Sequence, residues 1–140
     1  MTGLSRQQAA EAVAALFGAT AIHSHSSRTY DPWEVTDNEG KTWRFVFDAS
    51  IRATHRSGRR QLSTGDDTYK VEMNSPKLEY SEMGKLQDVV RTLRHAGAVV
   101  NSSCGMPVHV DASMHTPQRL KNALSIMYSK EHILFNANTV

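Results

Sequence analysis

The sequence predicts an α+β domain: a mostly antiparallel sheet with helices packed on one face. Three observations carry that reading. Helical spacing of apolar residues fills Ser5 to Phe17, Ser81 to Ala96 and the stretch after Thr116. Two-residue alternation fills several segments between them. A turn at Asn38-Glu39-Gly40 joins two of those segments as a hairpin.

Each element has a local reason. Ser5 and Gln8 can form a capping box, Ala10, Val13, Leu16 and Phe17 make an apolar stripe, and Gly18 can end the first helix. Ala19 to Ser24 reads as a short strand. Trp33 to Asp37 and Lys41 to Phe47 are the arms of the hairpin, with Trp43, Phe45 and Phe47 on the core side. Residues 52–68 are polar, contain Gly58 and Gly65, and read as a mobile loop. Tyr69 to Asn74 alternates, with Tyr69, Val71 and Met73 on one face and Lys70, Glu72 and Asn74 on the other; Pro76 ends that strand. In the second helix Leu86, Val89, Val90 and Leu93 form the stripe, and Gly97 follows it. Ala98 to Val100 and Pro107 to Ala112 then read as strands. Thr116 caps the last helix, Pro117 sits in its first turn, and Leu120, Leu124, Met127, Glu131 and Leu134 share one side of it.

Composition excludes several classes. The 140 residues suit one domain with a real core, and 21% charged against 39% hydrophobic residues describe a chain that folds. A net charge of +2 does not by itself imply nucleic-acid binding. Cys104 is the single cysteine, so no internal disulfide forms, and the expected compartment is the reducing cytoplasm. No apolar run approaches the roughly 20 residues of a membrane span, and the first ten residues lack the order of a secretion signal.

The most informative stretch is Ser102-Ser-Cys-Gly-Met-Pro-Val-His-Val-Asp111. Its alternation sets Val108 and Val110 against Pro107, His109 and Asp111. It resembles the "Cys-Gly-Ile-His-Val-His-Val-Asp" strand of the amidoligase family, glutamine synthetase-like carboxylate–amine ligases of phages and bacteria. Where that family has its first histidine, this chain has Pro107. Further segments carry the same resemblance: Tyr30-Asp-Pro-Trp-Glu-Val35 with Asp37, Gly40 and Trp43; Asp48-Ala-Ser-Ile51; Glu72-Met-Asn-Ser-Pro-Lys-Leu78; and Leu93 to Asn101. The likeness spans residues 3–135. By it, the expected architecture is a truncated glutamine synthetase-like catalytic fold: one domain over 1–140, lacking the family's opening Phe-Gly-x-Glu-x-Glu strand and its C-terminal half.

What the resemblance implies chemically is an ATP-dependent ligation. A carboxylate attacks the γ-phosphate, and an amine displaces phosphate from the acyl phosphate. Mg²⁺ held by carboxylates would neutralise the crowded oxygens. By resemblance Glu72 is a metal carboxylate, Asp48 a second, and His109 the histidine facing the nucleotide phosphates. Pro107 has no side-chain donor and cannot ligate. With the glutamates of the opening strand also missing, the expectation is that neither ATP nor Mg²⁺ is used, both returning if the ligase reading holds.

Each residue also has a plainer reading. His109 can be a solvated side chain, and Glu72 the wet face of a sheet. Asp48 is placed better as a turn cap, and Asp111 can cap the turn before the last helix. Cys104, with no basic neighbour in sequence, reads as a small structural residue. His23 and His25 are a weak metal pair. Arg52, His55, Arg56, Arg59 and Arg60 form a basic run that is either solvated or a contact surface for phosphates or an acidic protein patch; Arg52, Arg56, Arg59 and Arg60 are its candidate contacts.

Three functions compete. The first is an amidoligase-like module that no longer turns over and binds a protein; small phage inhibitors of host machinery, such as anti-CRISPR proteins, are of this size. The second is a working ligase, or one lobe of it, completed by a partner chain or a homo-oligomer. The third is a nucleic-acid-binding module using the 52–60 loop.

Overall fold

Ser5 starts the first helix, α1 (Arg6–Phe17), through the capping box expected of it: its hydroxyl accepts from the Gln8 amide while the Gln8 side chain accepts from the Ser5 amide. Gly18 closes α1 at φ +64°, a left-handed conformation that costs glycine little. These details come from a computed structural model that describes residues 1–57 and 61–138, with the backbone alone at residues 56, 57, 61, 62, 134, 137 and 138. The described chain divides into two units, one from Met1 to Gly105 and one from Met106 onward.

In the first unit a four-stranded antiparallel sheet runs in the order β1 (Ile22–His23), β2 (Trp33–Thr36), β3 (Thr42–Phe47), β6 (Val71–Asn74). Its register pairs Val35 with Trp43, Trp33 with Phe45, and Phe45 with Met73. Those residues, with Val71, look toward α1 and α2 (Met83–Ala96). The core joins Ala9, Ala10, Val13 and Ala14 of α1, Val35, Trp43, Phe45 and Val71 of the sheet, and Val89 and Leu93 of α2. Each such apolar side chain contributes about 1.5–3 kcal/mol relative to exposure, alanine less. Helix α1 packs on α2 and on β2 and β3, which makes this a small α+β fold.

The stripe on α1 is turned from the expected one. Ala9 and Ala14 are buried and Leu16 is exposed. Alanines allow the helix axis to approach its neighbours closely, so the small residues take the contact face. In α2, Leu86, Val89 and Leu93 face inward while Val90 is exposed.

The described residues of the expected loop 52–68 are mostly ordered into strands. They form a second, two-stranded antiparallel sheet of β4 (Thr54–Ser57) and β5 (Gln61–Thr64), followed by a 3₁₀ turn at Asp67–Tyr69. These strands hold together through backbone pairing, and their polar side chains hide the alternation that sequence reading relies on. Thr2 fastens β4 to the N-terminal segment: its hydroxyl donates to the Thr54 carbonyl and accepts from the Thr54 amide, both at 2.7 Å. Thr2 also exchanges two backbone hydrogen bonds with Val99, each 2.9 Å, and the Met1 ammonium reaches the Val71 carbonyl at 2.7 Å.

The expected strand at Ala98 to Val100 reduces to that single bridge at Val99. The expected strand at Pro107 to Ala112 does not form. Alternation fixes which way side chains point, but a strand also needs a neighbour for its amides and carbonyls, and no described strand pairs here. Pro107 removes one amide besides.

The second unit contains this extended segment and α3 (Pro117–Asn138). Asp111 caps a turn by accepting from the Ser113 amide and hydroxyl, and the Thr116 hydroxyl accepts from the Arg119 amide at the helix start. Among the described residues no helix is long and apolar enough to cross a membrane.

Candidate functional site

The face of the four-stranded sheet turned away from the helices collects the chemistry. Alternation from the buried Val71 puts Glu72 on that face, directly across from Val46. Arg44 lies one register step along, across from Asn74 on one side and Glu34 on the other, and its Nε donates to Glu34 at 2.9 Å. Glu72 is half-buried, and no described side chain hydrogen-bonds or ion-pairs with its carboxylate. Among the described residues the face therefore offers the neutralised Arg44–Glu34 pair and, beside the buried Val46, a Glu72 carboxylate without such a partner, which can receive a cation, an amine or a hydroxyl.

Asp48 follows the end of β3 and behaves as a turn cap. Its Oδ1 accepts from the Ser50 hydroxyl at 2.7 Å and the Ser50 amide at 2.9 Å. The Ser50 hydroxyl lowers its pKa most; burial opposes this, and the Ser50 amide, the Met1 ammonium and Lys70 add to the lowering. Beyond it, residues 49–54, Thr64, Gly65, Lys70 and Asn101 line an open hollow.

Pro107 and His109 belong to the second unit and are exposed. Among the described residues no three His, Cys, Asp or Glu side chains converge in a group that could hold a metal ion. The donors the resemblance assigns to Mg²⁺ thus do not assemble a cage among the described residues.

Arg52 lies beside the Asn101–Cys104 turn. Its Nη2 donates to the Ser102 hydroxyl at 2.6 Å, its amide donates to the Ser103 hydroxyl, and its carbonyl accepts from the Asn101 side chain. Arg56 is described only by its backbone place in β4, and Arg59 and Arg60 lie outside the described residues. Cys104 is half-buried with its thiol 3.7 Å from the Asn101 side-chain oxygen, a contact that completes the same turn.

Two networks escaped sequence reading. In the first, Asp37 is a hub with its side chain 1% exposed. Its Oδ1 accepts from the Glu39 and Lys41 amides, and its Oδ2 from the Trp43 indole and the Lys85 ammonium. Burial pushes its pKa up, but the Lys41 amide, the indole, Lys85 and the Glu39 amide outweigh that and hold it low. Lys85 also pairs with Glu39, and Lys41 with Glu82. The spacing Asp37, Gly40, Trp43 is therefore one folding device: Gly40, at φ +78°, lets the turn close, and the carboxylate ties that turn to the buried indole.

In the second, Asp31 holds α1 to the strand edge. Arg6 donates to its Oδ2 through Nη2 at 2.6 Å and Nε at 3.1 Å, and His23 Nε2 lies 2.7 Å from its Oδ1. Arg6 lowers the Asp31 pKa most, then His23, against burial. The His23 ring stacks on Trp33 and meets His25 edge-on. Asp31 sits at φ +41°, unusual for a side-chain-bearing residue, and these bonds offset a strain on the order of 1 kcal/mol.

A protein-family model described as "Putative amidoligase enzyme" matches residues 1–140. No curated protein and no solved structure matches the chain.

Proposed function

This chain belongs to the amidoligase family, and on that premise we propose that it works by binding a protein partner rather than by joining a carboxylate to an amine. The observation that carries this reading is the surface of the second unit. Met106, Val108, Val110, Met114, Leu124 and Tyr128 all stand in solvent, with Val108 76% and Tyr128 85% exposed. Large apolar side chains gathered along one segment mark interaction sites. Pro107 supports it independently, because it occupies the place where the family resemblance calls for a ligating histidine. Inhibition of a phage host's machinery is a narrower form of the same reading.

A second reading, an ATP- and Mg²⁺-dependent carboxylate–amine ligase, is favoured by one observation: the Glu72 carboxylate, half-buried beside Val46, has no hydrogen-bonding or ion-pairing partner among the described residues. The basic run supports a nucleic-acid contact less, since the one arginine described there in full, Arg52, already bonds within the fold.

Calorimetric titration of Mg²⁺-ATP into the chain separates these readings. The binding reading expects no heat at millimolar nucleotide, from the natural chain or from Glu72→Ala. Saturable heat that vanishes in Glu72→Ala and His109→Ala, and grows in Pro107→His, overturns it in favour of the ligase.

A further inference from the structure

We propose that His23 and His25 together bind one divalent late transition cation, of the zinc, nickel and copper class, with water completing its coordination. The inference goes beyond both readings above, since it uses neither the apolar second unit nor Glu72.

The two residues stand two apart where β1 ends, and their rings meet with centres 4.9 Å apart at 65°. A cation bound to one nitrogen of each ring at about 2.0–2.1 Å, at a right or tetrahedral angle, puts the ring centres about 4.5–5.3 Å apart. The observed spacing falls inside that range. Chelation therefore asks for rotation of the exposed His25 side chain, not for movement of the strand.

His23 is already set as a ligand. A carboxylate only accepts hydrogen bonds, so in the neutral ring the Nε2 that lies 2.7 Å from Asp31 Oδ1 carries the hydrogen. Nδ1 then keeps its lone pair. Arg6 grips the other oxygen of Asp31 through Nη2 and Nε, which fixes the carboxylate. Trp33, stacked on His23 with ring centres 5.0 Å apart, fixes the ring plane. An imidazole whose far nitrogen donates to a carboxylate is the usual arrangement of metal-bound histidine, because the carboxylate sets the tautomer and raises the basicity of the ligating nitrogen. His23 Nδ1 and both nitrogens of His25 have no hydrogen-bond partner among the described residues. The His23 side chain is 40% exposed, and His25 is exposed, so a cation reaches both from water.

The donor set selects the ion. Among the described residues no third His, Cys, Asp or Glu side chain joins the pair as a ligand, so the remaining positions belong to water and the affinity is modest. Neutral imidazoles favour late first-row ions, copper most strongly, whereas Mg²⁺ and Ca²⁺ take oxygen donors.

Calorimetric titration of Zn²⁺ and of Ni²⁺ alone into the 140-residue chain tests this at about pH 7.5, where free imidazole is neutral. The expected result is one saturable equivalent of either ion and no heat from Mg²⁺. His25→Ala should weaken binding about tenfold or more while leaving the melting temperature unchanged, because no described residue hydrogen-bonds to that ring. Cys104→Ser should bind as the natural chain does. In that Cys104→Ser chain Cu²⁺ should quench part of the tryptophan emission saturably, since Trp33 stacks on His23, and adding His25→Ala should remove the quenching. Three results overturn the inference: no saturable heat below a millimolar concentration of metal, the same affinity in His25→Ala, or binding that disappears with Cys104→Ser or His109→Ala while surviving His25→Ala.

Discussion

Replacing Asp37 by asparagine exchanges one oxygen for an amino group inside a nearly sealed pocket, and the geometry says what that costs. Oδ1 can still accept from the Glu39 and Lys41 amides, each at 3.0 Å, so the turn survives. The amino group takes the place of Oδ2, which accepts from Trp43 Nε1 and Lys85 Nζ, both at 3.2 Å. Trp43 is fully buried, so its indole N–H has no water to turn to, and an orphaned buried donor costs about 1–3 kcal/mol. Lys85 keeps Glu39 at 2.9 Å and is partly exposed, so losing Asp37 there adds only about 0–1 kcal/mol. The sum is about 1–4 kcal/mol; its middle, about 2 kcal/mol, lowers the melting temperature by roughly 10 °C for a unit of this size. Thermal and urea unfolding followed by circular dichroism read it directly. The same change in a Trp43→Phe background, where the indole donor is gone, should cost about 1 kcal/mol or less. Equal losses in both backgrounds, or an Asp37→Asn protein that melts with the natural one, would refute the reasoning.

Other outcomes follow from the same structure. Gly3→Ala should destabilise by more than about 1 kcal/mol, because Gly3 sits at φ +87° and a Cβ there would lie 2.7 Å from the Gly97 carbonyl oxygen; a melting curve shows it. Ser5→Ala removes the capping box and should cost about 1 kcal/mol in urea unfolding. Acid should unfold the protein: Asp31, Asp37, Asp48, Asp66 and Glu82 all titrate below their ordinary values of 3.8 and 4.5. The unfolded chain therefore takes up protons first, so the stability these groups contribute is full above about pH 5 and drains as pH falls below about 4. Asp31→Asn should flatten that slope in urea titrations at successive pH values, and a stability that does not change over this range would contradict the assignment.

Much of the fold could be read locally because its causes are local. The capping box at Ser5 and Gln8, the hairpin turn ending at Gly40, and the alternation that sets Val71 against Glu72 each involve residues within a few positions of one another. The plainer readings of two residues were equally local: Glu72 lies on the polar face of its strand, and Asp48 caps a turn. The parts that stayed hidden depend on separation in sequence. Arg6 finds Asp31 across 25 residues, and Thr2 finds Thr54 across 52. No spacing rule encodes such meetings. The segment at Pro107 to Ala112 shows the converse, a clean strand pattern with no described partner to make it one.

The N-terminal segment has a consequence for how the chain reaches its native state. Met1, Thr2 and Gly3 contact Val71, Val99 and Thr54, so residues 1–3 are made before every partner they hold. Helix α1 can form at once, but the clasp that joins the two sheets cannot close until residue 99 has been made. Loops of that span close against a large entropic cost, which places the clasp late in folding and makes its rate sensitive to anything that occupies residues 1–3 in the meantime.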